Sequence, residues 1–386
     1  MNEENKNSSK LSSPPQRRAG EPMNRIIIAG GGTGGHIFPA IAIANAIVKL
    51  QPQTEILFVG ALGKMEMEKV PLAGYKIKGL DIAGFNRSSL IKNIWLPYKL
   101  IKSFFQVRKI LKLFKPIAVI GVGGYSSYPV LRLAQANGIK TFIHESNSFA
   151  GKSNILLGKK ATKVFVAVDG MEKFFPANKV VVTGNPVRES ISQSKLTKYD
   201  AIRFFGLEPH KKTILSIGGS LGAKTINDAL ATGISEFEKN DLQLIWQTGK
   251  TYGDKGKEIT AGKPNIWVND FITQMEYAYA AADLVISRSG AMSVAELCVM
   301  KKAAVLVPYP FAAEDHQTAN AKKLVDKHAG VMIKDCDALS QLVSTVIMLS
   351  KDEPEQEVLK ANISKLAITD ADERIASEIL MEIGKG

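Results

Sequence analysis

Cysteine is nearly missing from this 386-residue chain: only Cys298 and Cys336 occur. That excludes a disulfide framework and any cysteine-based metal spacing, and a reduced, cytoplasmic setting is the default. No apolar run reaches membrane-spanning length. The first 22 residues, MNEENKNSSKLSSPPQRRAGEP, lack the apolar stretch of a signal peptide and read as a disordered tail, with Met23 as an alternative start. Acidic residues are absent from the whole interval between Asp81 and Glu145, which holds ten of the chain's cations and concentrates in the first half the basic excess behind a net charge of +13. Such an excess bears on partners, not on fold. The Walker lysine that would follow a phosphate-binding loop is missing, and no DxD-type acidic pair stands out as a metal site; neither a metal nor a cofactor is expected.

What is present is globular composition, 45% hydrophobic and 23% charged, in a length that suits two domains. Strand-like runs alternate with helical patterns: RIIIAG, EILFVG, IAVIGVGG, KTFIHE, KVFVA, KVVVTGNP, then KTILSIGG, LQLIWQTG, NIWVNDF, DLVISRSGA, AAVLVPYP and GVMIKD. This βα alternation predicts an α/β chain of two doubly wound Rossmann-like domains facing across a cleft. The boundary is placed at the stiff Asn185-Pro186 turn, giving domains 23–187 and 188–367, with a last helix at about 368–386 packing back on the first domain. No repeat is visible at residue level.

The strand ends carry the chemistry. In RIIIAGGGTGGHIFPA, a β-branched strand runs into glycines, and Pro39 suits the first helical turn. Glycines admit close backbone approach, and a helix N-terminus attracts anions. The spacing is not the dinucleotide fingerprint, because no acidic residue stands out at the end of the second strand, EILFVGA. A lone histidine is usually structural; His36, just beyond the first strand, titrates near neutrality and faces the expected cleft. GGSLGA and SRSGAMSVAEL repeat the strand–glycine–helix arrangement in the second half. There Glu296, about a turn and a half into its helix, is either a solvated glutamate or a carboxylate for ribose hydroxyls. FAAEDHQTANA places Asp315, His316, Gln317 and Asn320 at another strand end, which by itself reads as a helix cap.

GGTGGHIFPA, GVGGYSSYP, HESNSFAGKSN, TGNPVR, GGSLGA, SRSGAMSVAE and DHQTANA occur in this order over nearly the whole chain after Met23. Together they resemble the MurG family of bacterial glycosyltransferases. The resemblance implies a GT-B fold, UDP-N-acetylglucosamine as donor, undecaprenyl-diphospho-N-acetylmuramoyl-pentapeptide (lipid I) as acceptor and lipid II as product, made at the cytoplasmic face of the inner membrane. By position it implies that Ile272 holds uracil through its backbone and Glu296 the ribose. Ser220 and the loop Ala291, Met292 and Ser293 would hold the diphosphate, and Gln317 the sugar. Thr33, Gly34, Gly35 and Asn147 would complete the pocket from the first domain, with Arg188 at the hinge. His36 is the expected general base and Glu145 its competitor. Ser146 stands where the family commonly has glutamine, and Ser293 keeps the hydroxyl of a common threonine.

A lipid-linked acceptor gives the cationic interval a purpose. YKLIKSFFQVRKILKLFK aligns Leu100, Phe104, Val107, Leu111 and Phe114 on one helical face beside Lys99, Lys102, Lys109 and Lys112. The preceding segment adds Phe85, Ile91, Ile94 and Trp95 beside Arg87 and Lys92. Part of that apolar face is expected to be core. Apolar residues interleaved with cations suit an anionic membrane surface; no nucleic-acid motif accompanies them. The rival expectations are transfer to another lipid, or a UDP-N-acetylglucosamine epimerase on the same fold.

Overall fold

A computed structural model describes residues 24–84, 94–219, 222–312 and 315–385. In the first half the strands are β1 (Arg25–Ala29), β2 (Glu55–Ala61), β3 (Lys76–Leu80), β4 (Ala118–Gly121), β5 (Lys140–Glu145), β6 (Lys163–Val166) and β7 (Val180–Val182). All pair in parallel, in the order β3-β2-β1-β4-β5-β6-β7. The run of isoleucines in β1 has a direct cause. Ile26 and Ile28 point to one face, against Ile43 and Ile47 of the helix Gly34–Leu50. Ile27 and Ala29 point to the other, against Val107 and Leu111 of the helix Leu96–Phe114. Successive side chains of a strand alternate faces, so a sheet covered on both sides needs an unbroken apolar strand.

The second half repeats the architecture. β8 (Lys212–Ile217), β9 (Leu242–Gln247), β10 (Ile266–Asn269), β11 (Leu284–Ser287), β12 (Ala303–Leu306) and β13 (Val331–Met332) form a parallel sheet ordered β10-β9-β8-β11-β12-β13. Each sheet reverses its winding once, between β1 and β4 and between β8 and β11. Ligands of open α/β sheets bind beyond the strand ends at such a switch point. The glycine loops at 30–32, 123–124, 218–222 and 288–290 follow those four strands.

Two chain crossings join the halves. One is the segment after β7; the other leads into the helix Ala371–Gly384, whose Ile375, Ala376 and Ile379 are buried with Ile43 and Ile47. Each fully buried isoleucine contributes about 1.5–3 kcal/mol, so this helix holds the chain's end firmly to the first domain. Across the junction Asn185 Nδ2 donates to Ala291 O (3.4 Å) and Ser148 Oγ donates to Asn320 Oδ1 (2.9 Å), while within the first domain Asn185 Nδ2 also donates to Ser146 O (3.1 Å).

The helix Leu96–Phe114 turns the stripe read in the sequence to the core and carries a further apolar strip besides. Val107 and Leu111 are buried, and Leu100 and Phe114 pack partly against the same core. A second apolar strip, Ile94, Trp95, Tyr98, Ile101 and Phe105, is exposed. Lys99 and Lys102 both pair with Asp81, at 3.3 and 2.7 Å. Phe85, Arg87, Ile91 and Lys92, like the tail 1–22, lie outside the described residues.

Candidate active site

The loop after β1 shows why glycine is required there. Gly30, Gly31 and Gly32 take φ of +148°, +143° and +90°, a region that side chains resist. A Cβ on Gly30 would come within 2.5 Å of the Gly123 carbonyl, and one on Gly31 would overlap the Glu66 carboxylate. Thr33 is the N-cap of the helix Gly34–Leu50, its carbonyl accepting from the N–H groups of His36 and Ile37 at 3.1 and 3.2 Å. His36 therefore sits in the first turn, half-buried, its Nδ1 3.1 Å from the Gly31 oxygen and 3.3 Å from Thr33 Oγ1. A Cβ on Gly123 would meet the Nε2 and Cδ2 atoms of the ring at 2.8 Å, so glycine makes room for that edge. Burial lowers the pKa of His36, opposed by the Glu145 charge, the Gly31 carbonyl and the Glu66 charge.

Glu145, at the end of β5, is buried and fully engaged. Its oxygens accept from Asn147 N (3.1 Å), Asn147 Nδ2 (3.2 Å), Gly151 N (3.0 Å) and Asn154 Nδ2 (2.9 Å). Four donors make this carboxylate the organiser of the loop 146–154. They also draw the Asn147 amide back toward Glu145. Among the described residues Ser146 Oγ is buried without a hydrogen-bond partner.

Across the cleft, Gly219 and Gly222 adopt φ of +76° and +79°, and Gly222 lies directly on the Thr248 carbonyl. Gln247, the last residue of β9, spans two loops. Its Nε2 donates to Gly219 O at 3.1 Å, and its Oε1 accepts the Ile272 N–H at 3.0 Å. The Ile272 N–H is thus occupied by Gln247. Ser220 lies outside the described residues.

Ala291, Met292 and Ser293 open the helix Ala291–Val299. Its N-cap is Gly290, and among the described residues no side chain caps its first amides, which leaves them suited to an anion. One turn on, Glu296 is neither solvated nor free. It is 7% exposed and accepts from Arg188 Nη2 (3.1 Å) and the Tyr279 hydroxyl (2.9 Å). Burial and the Glu296 charge push the Tyr279 phenol well above its ordinary pKa. Arg188 also lies over the Phe38 ring, 4.4 Å from its centroid. Expected separately as hinge and ribose ligand, Arg188 and Glu296 are one ion pair at the start of the second domain, and the stacking of Arg188 on Phe38 ties that pair to the first domain's helix Gly34–Leu50. Gln317 is tied down by its Oε1, which accepts from Tyr309 N at 3.0 Å, and its carbonyl accepts from Ser289 Oγ at 2.8 Å.

Two residues of this region escaped the sequence reading, Glu66 and Gln247. Glu66 was hidden because it follows β2 by five positions, inside GALGKMEMEK, and only the fold returns it beneath the glycine loop. Gln247 had a weak signal, a polar residue ending an otherwise apolar strand before Thr248-Gly249. Among the described residues no group of three or more His, Cys, Asp or Glu side chains converges as metal ligands would.

Two doubly wound domains, with glycine loops at both switch points turned toward one cleft, define the GT-B class of nucleotide-sugar enzymes. Residues 26–166 match the glycosyltransferase family 28 N-terminal domain and residues 213–375 the glycosyltransferase family 28 C-terminal domain. The chain belongs to glycosyltransferase family 28. It is 53% identical over 364 residues, 94% of this chain and 99% of the relative, to the UDP-N-acetylglucosamine--N-acetylmuramyl-(pentapeptide) pyrophosphoryl-undecaprenol N-acetylglucosamine transferase of Parabacteroides distasonis. A crystal structure of Acinetobacter baumannii MurG superposes with a TM-score of 0.70 at 30% identity, covering 93% of this chain and all of that one. A UDP-GlcNAc 2-epimerase from Neisseria meningitidis also superposes, at 0.66 over 92% of this chain and all of its own, but at 14% identity it shares the fold alone.

Proposed function

We propose that this protein is an inverting glycosyltransferase that moves N-acetylglucosamine from UDP-N-acetylglucosamine to the C4 hydroxyl of the N-acetylmuramoyl sugar of lipid I, giving lipid II for peptidoglycan synthesis. The observation that carries the mechanism is the His36 ring, bound through Nδ1 to the floor of the cleft. Because a carbonyl oxygen only accepts, the bond to Gly31 puts the proton on Nδ1 and the lone pair on Nε2. Nε2 takes the acceptor's O4 proton as O4 attacks the anomeric carbon, and the bond from that carbon to the UDP oxygen breaks on the opposite face. The α-linked donor becomes a β-1,4 product. The uncapped amides at Ala291, Met292 and Ser293 stabilise the departing diphosphate. Glu296 holds the ribose while Ile272, Ser220 and Gln317 hold base, diphosphate and sugar; Thr33, Gly34, Gly35, Asn147 and Arg188 close the pocket.

The acceptor's lipid places the work at a membrane surface. Among the described residues no helix is long and apolar enough to cross a membrane. The exposed strip of Ile94, Trp95, Tyr98, Ile101 and Phe105, beside the exposed Arg108, Lys109 and Lys112, has the composition of a peripheral docking face. On this reading it meets anionic lipid at the cytoplasmic face of the inner membrane.

The test is UDP release with and without a lipid I analogue. Release only in the presence of that analogue is expected, whereas an epimerase would convert the donor without any acceptor. His36→Ala should lower turnover about a hundredfold to ten-thousandfold and leave UDP affinity nearly unchanged. Full turnover with a weakened acceptor constant would move the base elsewhere.

A further inference from the structure

The peptide joining Gly31 and Gly32 is gripped at both ends. Glu66 accepts the Gly32 N–H at 2.9 Å, while His36 Nδ1 lies 3.1 Å from the oxygen of the same peptide unit, the Gly31 carbonyl. The other Glu66 oxygen accepts from Ala61 N at 2.9 Å, at the end of β2. The residue is 1% exposed, and among the described residues no Lys or Arg pairs with it. Space for its carboxylate is kept by two glycines, since a Cβ on Gly31 or on Gly60 would collide with it. A buried carboxylate without a cation is costly unless its hydrogen bonds are satisfied. This one spends a bond on the very peptide that orients the imidazole.

We propose that Glu66 is a positioning residue for His36, acting through the Gly31–Gly32 peptide. Its carboxylate polarises the amide, the polarised carbonyl holds Nδ1–H, and Nε2 stays open to the acceptor hydroxyl. This is the logic of the carboxylate–histidine pair of hydrolytic triads with a peptide unit inserted between the partners. When Nε2 takes the proton from O4, the imidazolium keeps its bond to Gly31 and gains the attraction of Glu66; the carboxylate itself stays ionised. The inference rests on the reading of His36 as base. The charge of Glu66 raises the His36 pKa against burial, as does that of Glu145 on β5; His316 of the second domain lowers it, and His144, also on β5, interacts with it as a like charge. Glu66 is bonded to the very peptide that His36 uses.

The experiment compares Glu66→Gln and Glu66→Asp in the full chain. His36 is followed by imidazole nitrogen NMR across pH, and turnover is followed across pH at saturating donor and acceptor. In Glu66→Gln the negative charge is gone, so the His36 pKa falls and the acidic limb of the rate profile moves to lower pH. Turnover should drop about ten- to a hundredfold, with the donor KM changing less than about twofold. Glu66→Asp keeps the charge and leaves the limb in place. An unchanged His36 pKa and tautomer in folded Glu66→Gln overturns the proposal. A His36 pKa that moves without the rate limb leaves Glu66 in its role and removes His36 from the role of base. Should Glu66→Gln not fold, the wild-type spectrum decides: a neutral His36 protonated on Nε2 rather than Nδ1 refutes the arrangement.

Discussion

Replacing Glu296 separates two jobs that one carboxylate performs. In the free protein it satisfies the buried Tyr279 hydroxyl and pairs with Arg188, side chains of the pair being 10% and 20% exposed. Truncation to alanine strips the phenol of its acceptor, at about 1–3 kcal/mol, and leaves a nearly buried guanidinium without its counter-ion, so a total of about 3 kcal/mol is expected. Arg188 keeps its contact with Phe38, which holds the loss below that of a wholly orphaned charge. Binding suffers separately. Two ribose hydroxyls donating to a carboxylate contribute about 1.5 kcal/mol each at the low end, so UDP affinity should fall roughly a hundredfold. Glu296→Gln keeps an acceptor for Tyr279 and should unfold within about 1 kcal/mol of wild type, while still losing part of the affinity. Urea unfolding reads the first effect and calorimetric titration with UDP the second. The decisive comparison uses 2′-deoxy-UDP, which should bind wild type about tenfold more weakly than UDP and bind Glu296→Ala as well as UDP does. If the missing hydroxyl costs the same affinity in both proteins, Glu296 does not touch the ribose and serves only the ion pair.

Docking to anionic vesicles should weaken as salt rises, and replacing Arg108, Lys109 and Lys112 by glutamate should weaken it further, by about 1 kcal/mol for each cation near the surface, with turnover on a short-chain acceptor retained. Lys99 and Lys102 are poorer probes because Asp81 already holds both; equal binding to neutral and anionic vesicles would remove the electrostatic argument. Stability should also report on His144, wholly buried and held by burial at a pKa of about 4 against the opposing contact with the Gly184 backbone. The unfolded chain binds this proton below about 6.5 and the folded chain only near 4, so the stability that His144 supports is whole above pH 6.5 and falls as pH drops toward 4. Between pH 7 and pH 5 the loss is about 2 kcal/mol, measurable by urea unfolding, and His144→Phe should flatten the wild-type slope; an unaltered slope would contradict the burial argument.

Strand identity, domain order and the class of the site were legible in the chain itself. Runs such as RIIIA and KTFIHE are apolar throughout because parallel strands are covered on both faces, and that pattern survives in one dimension. Glycine clusters at the strand ends mark the switch points for the same local reason: a positive φ or a close carbonyl contact admits no other residue. Partnerships were not legible, because they join residues far apart in the chain. Glu66 reaches the loop of His36 only once β2 lies beside β1 and its helix turns back; Arg188 finds Glu296, 108 positions away, only when the second domain's helices pack on one another. The helix Leu96–Phe114 shows the limit most plainly. Its sequence carries two apolar strips, and periodicity alone does not say which one the core takes. The sheet chose Val107 and Leu111, leaving Trp95, Tyr98 and Phe105 to the solvent side. Local sterics and hydrophobic period are written residue by residue, whereas burial, charge pairing and the tautomer of a histidine depend on what the finished fold brings within a few ångströms.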